Sequence, residues 1–216
     1  MPIIDLSHVI VDGMTTYPGL PGPTISDHLS REESRSRYAE GYEFQIGHIE
    51  MVSNTGTYLD TPFHRFADGH DLAGLDPARV TNVAGVLIDA TGGQAAGPEL
   101  LDGVEVAGRA VLFRTGWDRH WGTDAYGDAS HPYLAEATAE LLVARGAAVV
   151  GIDSVNIDDT AGGARPIHTI LLGAGVPIVE HLCGLDRLVG ETFTFTALPP
   201  AIQGVGTFPV RAIAIS

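Results

Sequence analysis

Cysteine is nearly absent from this chain: Cys183 is the only one in 216 residues. A single thiol excludes an internal disulfide and any CxxC zinc site, and it fits a reducing compartment. Basic side chains are also scarce, 12 Lys+Arg against 27 Asp+Glu, which sets a formal charge of −15. So acidic a surface repels phosphate backbones and anionic lipid, so neither nucleic acid nor a membrane is an expected partner. A local pocket can still carry the opposite sign. No apolar run reaches the roughly 18–20 residues that span a bilayer. The opening residues, MPIIDLSHVI, have no basic leader or long apolar core, so no signal peptide is expected and the expected setting is the cytoplasm. The chain lacks a GxSxG elbow, and the Gly-rich AGGAR at 161–165 lacks the Walker and Rossmann spacings.

Against these absences stand 44% hydrophobic residues and only 18% charged ones, enough apolar material for one sizeable core. The 27 Gly and 13 Pro imply more turns than a helix bundle tolerates. The expected fold is therefore α/β, a single domain over residues 1–216 with a mixed sheet and flanking helices. Strands are expected at 3–6, at 44–52, and in the apolar runs 83–90 (VAGVLIDA), 109–115 (RAVLFRT) and 147–153 (AAVVGID). Residues 132–145 read as the best helix, with Pro132 near the start, Leu134, Ala137 and Leu141 on one face, and Gly146 as the stop. Strand, helix, strand in that order predicts local parallel pairing. The alternating FPVRAIAI at 208–215 predicts one last strand that closes the sheet, and the charged stretch 30–40 reads as an exposed helix or flap.

Polar groups crowd most densely at residues 54–64, NTGTYLDTPFH. Pro62 argues against a helix interior between Asp60 and His64, so the segment reads as a strand-to-loop corner with both side chains turned into a cleft. An imidazole there suits general acid and base work near neutral pH, and the carboxylate can hold a metal or orient a histidine. A turn capped by its own Asn and Thr hydrogen bonds explains the same residues almost as well. A second cluster, RPIHTILLGAGVPIVEHL, carries His168 and Glu180. Burying a carboxylate such as Glu180 after an apolar run is costly without a partner. Facing the same cleft, Asp60, His168 and Glu180 make a donor set for Zn²⁺ or Mn²⁺. The neighbouring His181, if the stretch is extended, points the other way and is structural. The Asp158–Asp159 pair follows a strand end, where sites gather in α/β sheets and where simple caps are equally at home.

These residues carry a resemblance. In order along the chain, DLSHVI, TTYPG, NTGTYLDTPFH, LFRTGW, GIDSVNID, HTILL and PIVEHL resemble the cyclase-like family that includes bacterial kynurenine formamidase and isatin hydrolase. Its central motif looks like His-x-Gly-Thr-His-x-Asp-x-Pro-x-His, and Gly56, Thr57, Asp60, Pro62 and His64 match it. The resemblance implies a swivelling β/β/α fold that usually assembles into dimers or larger oligomers. It further implies that Asp60 and Glu180 are metal-bridging carboxylates, His168 a metal ligand and His64 the proton donor and acceptor. Tyr17 stands where the formamidases carry a substrate-contacting aromatic. Two positions depart: Asn54 and Tyr58 replace the motif's first two histidines, the main ligands of the first metal. An amide and a neutral phenol are poor substitutes for imidazole. Three arrangements fit: one ion on Asp60, His168 and Glu180; further ligands from another group; or no metal.

The leading expectation is a hydrolase of a C–N bond in an amide, formamide or cyclic amide, with one divalent ion (Zn or Mn). His64 is its acid/base, and Asp60 and Tyr58 stand beside it. Tyr17, Asn54 and Phe63, with Trp117, are expected to contact a small-molecule substrate. The alternative is a metal-independent cyclase, dehydratase or lactone-processing enzyme using Tyr58 and His64, or a non-catalytic relative that binds a small molecule. A homo-oligomer, dimer or tetramer, is the expected assembly.

Overall fold

The computed structural model describes all 216 residues. Its strands are β1 (Ile3–Asp5), β2 (Thr24–Leu29), β3 (Ile46–Glu50), β4 (Tyr58–Asp60), β5 (Val83–Asp89), β6 (Ala95–Ala96) and β7 (Ala110–Arg114). They continue with β8 (Tyr133–Leu134), β9 (Val149–Ile152), β10 (Ile178–Glu180), β11 (Thr194–Thr196), β12 (Thr207–Pro209) and β13 (Ile213–Ile215). Nine of them form one mixed sheet in the order β1-β13-β11-β5-β7-β9-β10-β4-β12. The apolar runs expected to be buried strands, β5, β7 and β9, pair in parallel at its centre, and β10 extends them. Burial on both faces is why β7 and β9 are continuously apolar rather than alternating, whereas β5 is only partly buried.

Alternate residues of the central strands feed two cores. Val111 and Phe113 join Val150 and Ile152 under two helices, α2 (Glu136–Ala144) and α3 (Pro166–Gly173), which contribute Leu142, Ile167 and Leu171. Ala110 and Leu112 face the other way, onto Leu59, Val179, Phe195 and Ala214. No helix is long and apolar enough to cross a membrane.

Three local expectations change. The helix begins at Glu136 rather than near Pro132, because Tyr133 and Leu134 pair with Ala95 and Ala96 as a short parallel ribbon. Gly146, at φ 75°, does follow its end. The last strand splits in two: Thr207–Pro209 pairs with β4 at one edge, while Ile213–Ile215 lies between β1 and β11 near the other. The link from 209 to 213 reaches at most about 14 Å, so the sheet must curl until its edges approach. Leu6 N donating to Ala212 O and Val210 N donating to Thr57 O stitch that closure, each at 2.9 Å. The charged stretch reduces to one short helix, Arg31–Ser34, with a Ser30/Glu33 capping box. It connects β2 and β3, which form a separate two-stranded arm.

Candidate functional site

Strand β4 delivers the central motif. It is paired on one side by β10 and on the other by β12, so Tyr58, Leu59 and Asp60 are all buried. Register sets Glu180 opposite Tyr58, and Ile178 and Thr207 opposite Asp60. Gly56 supplies the entry bend at φ 66°. Thr55 and Thr57 turn out to be scaffolding: their hydroxyls donate to Val52 O and His181 O at 2.6 Å each. After β4 the chain turns through one 3₁₀ turn, Pro62–His64. Here Gly206 packs its backbone directly on the turn, since a Cβ at that position would lie 2.3 Å from His64 N.

That close approach places Thr207 between two site residues. Its hydroxyl donates to Asp60 Oδ1 and therefore accepts from His64 Nδ1–H, at 2.8 Å. The arrangement fixes the His64 tautomer and leaves Nε2 free to act as a base. His64 is about a third exposed, with its side chain at 35%, whereas Asp60 is fully buried. Asp60 Oδ2 has no hydrogen-bond partner at all.

His168 lies on the first turn of α3. Its Nδ1 donates to Asp158 Oδ2 at 2.5 Å, and Asp158 also accepts from the backbone N–H groups of Ile167 and His168. One carboxylate thus caps the helix and aims the imidazole. The other nitrogen, Nε2, lies 3.8 Å from Asp60 Oδ2 and 3.7 Å from Glu180 Oε1. Those separations are too long for hydrogen bonds. They suit donors around one ion, since ligands bound at about 2.1 Å stand roughly 3–4 Å apart. Together with the unpartnered Asp60 Oδ2, they show that the residues fit a divalent cation. Donor atoms from Asp60, His64 and His168 converge within 4.8 Å, so His64 joins the tightest set while the expected Glu180 sits beside it.

The electrostatics point the same way. Burial opposes a charge on His168, but Glu180, Asp158 and Asp60 outweigh it and push its pKa up to about 10. Burial and the Asp60 charge raise Glu180 to about 7 against the pull of His168. Asp60 itself is lowered: burial pushes its pKa up, but His64, His168 and Thr207 prevail. The site calls for positive charge, and a bound cation would answer the same demand.

Tyr58 closes the network from behind. Its hydroxyl donates to Glu180 Oε2 at 2.7 Å, and Glu180 Oε1 accepts from Ile157 N at 2.7 Å. The Tyr58 oxygen accepts from His181 Nε2 at 3.2 Å, whose Nδ1 accepts from the Tyr126 hydroxyl at 2.8 Å. His181 was expected to turn away and does not. Its φ of 57° is left-handed, which breaks the strand alternation after Glu180 and swings the ring back beside Tyr58. Burial, reinforced by Glu180, lifts the Tyr58 hydroxyl well above its ordinary range.

A cavity of about 470 Å³ opens over these groups. Tyr17, Asn54, Tyr58, His64, His168 and Glu180 all line it, while Asp60, expected both as catalytic residue and as ligand, is fully buried and does not. Phe63 and Trp117 do not. The three-residue 3₁₀ repeat separates Phe63 from His64 by about a third of a turn, and the Trp117 indole donates to Tyr126 O instead. Thr207 and Asp158 are the positioning residues missed or left undecided by sequence. Asp158 had one signal, its place in the loop that follows β9. Thr207 had none.

A sequence profile for the family described as "Putative cyclase" matches residues 4–159. The chain belongs to this family. Among cyclase-family relatives, the kynurenine formamidase of Bacillus cytotoxicus is 29% identical over 97% of this chain and 95% of its own length. A Bacillus cereus kynurenine formamidase is 28% identical over the same shares. Among solved structures, an isatin hydrolase bound to the product analogue thioisatinate superposes with a TM-score of 0.84, at 22% identity, covering 99% of this chain and 92% of that one. A potential metal-dependent hydrolase with cyclase activity gives 0.79 at 24% identity, covering 99% and 96%. These superpositions establish the shared α/β architecture.

Proposed function

We propose that this cyclase-family protein hydrolyses the C–N bond of an amide, formamide or cyclic amide. The observation that carries the reading is the Asp60–Thr207–His64 relay, which holds an imidazole in one tautomer with its free nitrogen at a cavity. Relatives named kynurenine formamidase and isatin hydrolase support the same bond class.

In this reading Asp60 Oδ2 and His168 Nε2 anchor one divalent ion, with Glu180 Oε1 as the third donor. Such an ion, when bound, supplies the Lewis acidity that polarises the scissile carbonyl. His64 is reserved for proton transfer because it is the most exposed of the four, its side chain 35% exposed against 7% for His168 and 1% or less for the two carboxylates. Its Nε2 takes the proton of the attacking water and returns it to the leaving nitrogen. The Asp60 charge, relayed through Thr207, stabilises the imidazolium between the two steps. Tyr17 and Asn54 border the space above.

Tyr58 does not exchange protons here. Its hydroxyl is hydrogen-bonded to both Glu180 and His181 and is held protonated by burial, which weighs against a metal-independent Tyr58–His64 pair. The deciding assay measures release of formate from formanilide by protein stripped with a strong chelator, then reloaded with Zn²⁺ or Mn²⁺. Loss and recovery are expected. Turnover that survives stripping would sink the metal hydrolase reading.

We also assign the expected homo-oligomer contact to the β2–β3 arm. Ile25 and Ile49 face each other across that ribbon and both are exposed, and Phe44 and Ile46 close by are exposed too, so the arm carries several apolar side chains without a cover. Light scattering of wild type against Ile49→Glu tests it: a drop in mass is expected, and an unchanged mass removes the assignment.

A further inference from the structure

The chain contains no lysine, so its twelve basic side chains are all arginine, set against 27 acidic ones. Two of the twelve, Arg65 and Arg165, line the cavity that holds His64 and His168. Neither is engaged by a carboxylate: the arginine ion pairs of this protein use Arg35, Arg114 and Arg211, so Arg65 and Arg165 are among the nine left unpaired, and they are the two that line the cavity.

Arg165 is nonetheless held in place. Its Nη1 donates to the carbonyls of Asp159, Gly162 and Ala164 at 3.2, 2.7 and 2.7 Å. Nε and Nη2 are left without a protein partner. Arg65 Nε donates to Thr169 Oγ1 at 3.2 Å, and that hydroxyl donates to the Arg165 carbonyl at 2.7 Å, so one threonine joins the two residues. The Arg65 guanidinium rests 5.2 Å from the centre of the Phe66 ring. Glu136 shares the neighbouring groove with both arginines but forms no ion pair with either. The result is a pair of partly anchored guanidinium forks with free N–H groups, bordering the same space as the acidic floor of Asp60 and Glu180. Guanidinium forks match the planar geometry of a carboxylate. In a chain this acidic, these two guanidinium groups are the arginine charges that border the cavity.

We propose that Arg65 and Arg165 form a carboxylate subsite, so that the preferred substrates are amides whose far end carries a carboxylate. The proposal rests on the amide-hydrolase reading for the reaction at the near end. The amide carbonyl sits over His64 while the distant anion meets the arginines. Neutral amides fill the space without that second contact, and cationic ones meet repulsion.

Three para-substituted formanilides, bearing carboxylate, hydrogen or aminomethyl, separate the possibilities through kcat/KM at low salt. The carboxylate is expected to be favoured over hydrogen by about tenfold or more, one charge-assisted contact's worth, with aminomethyl poorest. Arg165→Gln and Arg65→Gln should each lower the carboxylate-to-hydrogen ratio several-fold, and Arg165→Glu should reverse the order of the charged pair. An unbiased wild type, or a preference that survives in both glutamine variants, overturns the subsite. If no formanilide turns over, the hydrolase reading fails separately. The subsite is then read by calorimetric binding of 4-formamidobenzoate against formanilide. Tighter binding of the carboxylate that is lost in Arg165→Gln upholds the subsite, and equal binding removes it.

Discussion

Strands β3 and β4 are close in sequence but stand in opposite environments. All five residues of β3 are exposed, and its only neighbour is β2. All three residues of β4 are buried, between β10 and β12. The charged residue of each, Glu50 or Asp60, therefore has a different meaning. Glu50 is solvated and screened, whereas Asp60 sits where two strands exclude water and each unmet lone pair is felt. Chemistry belongs on β4 because strands paired on both edges fix side-chain positions and lower the local dielectric. The arm supplies surface.

The largest effect that can break this contrast is on turnover. His64→Ala removes the one imidazole nitrogen presented by the β4 corner. It should lower kcat on any accepted amide by about 10²–10⁴, with circular dichroism unchanged because the side chain is partly exposed. A loss under tenfold would move proton transfer elsewhere.

Stability separates the strands next. Leu59 is fully buried between its neighbours, so Leu59→Ala should cost about 2–5 kcal/mol in urea unfolding. Ile49→Ala on the arm, measured at low protein concentration, should stay within about 0.5 kcal/mol of wild type. Equal losses would mean that the arm is packed in solution.

The smallest of the three effects concerns the relay. Thr207→Val keeps the shape of the side chain and removes the hydroxyl between Asp60 and His64. By analogy with other residues that orient a site, kcat should fall about 10–100-fold with little change in KM. The pH profile should also shift, which a purely structural role would not produce. Thr207→Ser should restore most of the rate.

How much of this was legible in the sequence follows from the range of the contacts. Asp60, His64, His168 and Glu180 stood out because ionisable groups were embedded in apolar or Gly/Pro-bounded runs, where burial demands partners. The parallel centre was legible from its continuous apolar strands. Thr207 was not: it is 143 residues from His64 and stands as an ordinary threonine just before the expected last strand until the sheet curls. His181 was misjudged because alternation assumes an extended backbone, and one left-handed φ undoes it. The late start of α2 reflects a two-residue ribbon too short to leave a pattern.

The central claim is that the β4 floor holds a divalent ion through the unpartnered oxygen of Asp60. Elemental analysis of purified wild type and Asp60→Asn, both expressed with added Zn²⁺ and Mn²⁺ and both confirmed as folded, tests it most directly. Roughly one ion per chain is expected in the wild type, with occupancy in the variant down by about tenfold or more. A folded wild type free of divalent metal, or a variant that retains the full complement, would contradict the account.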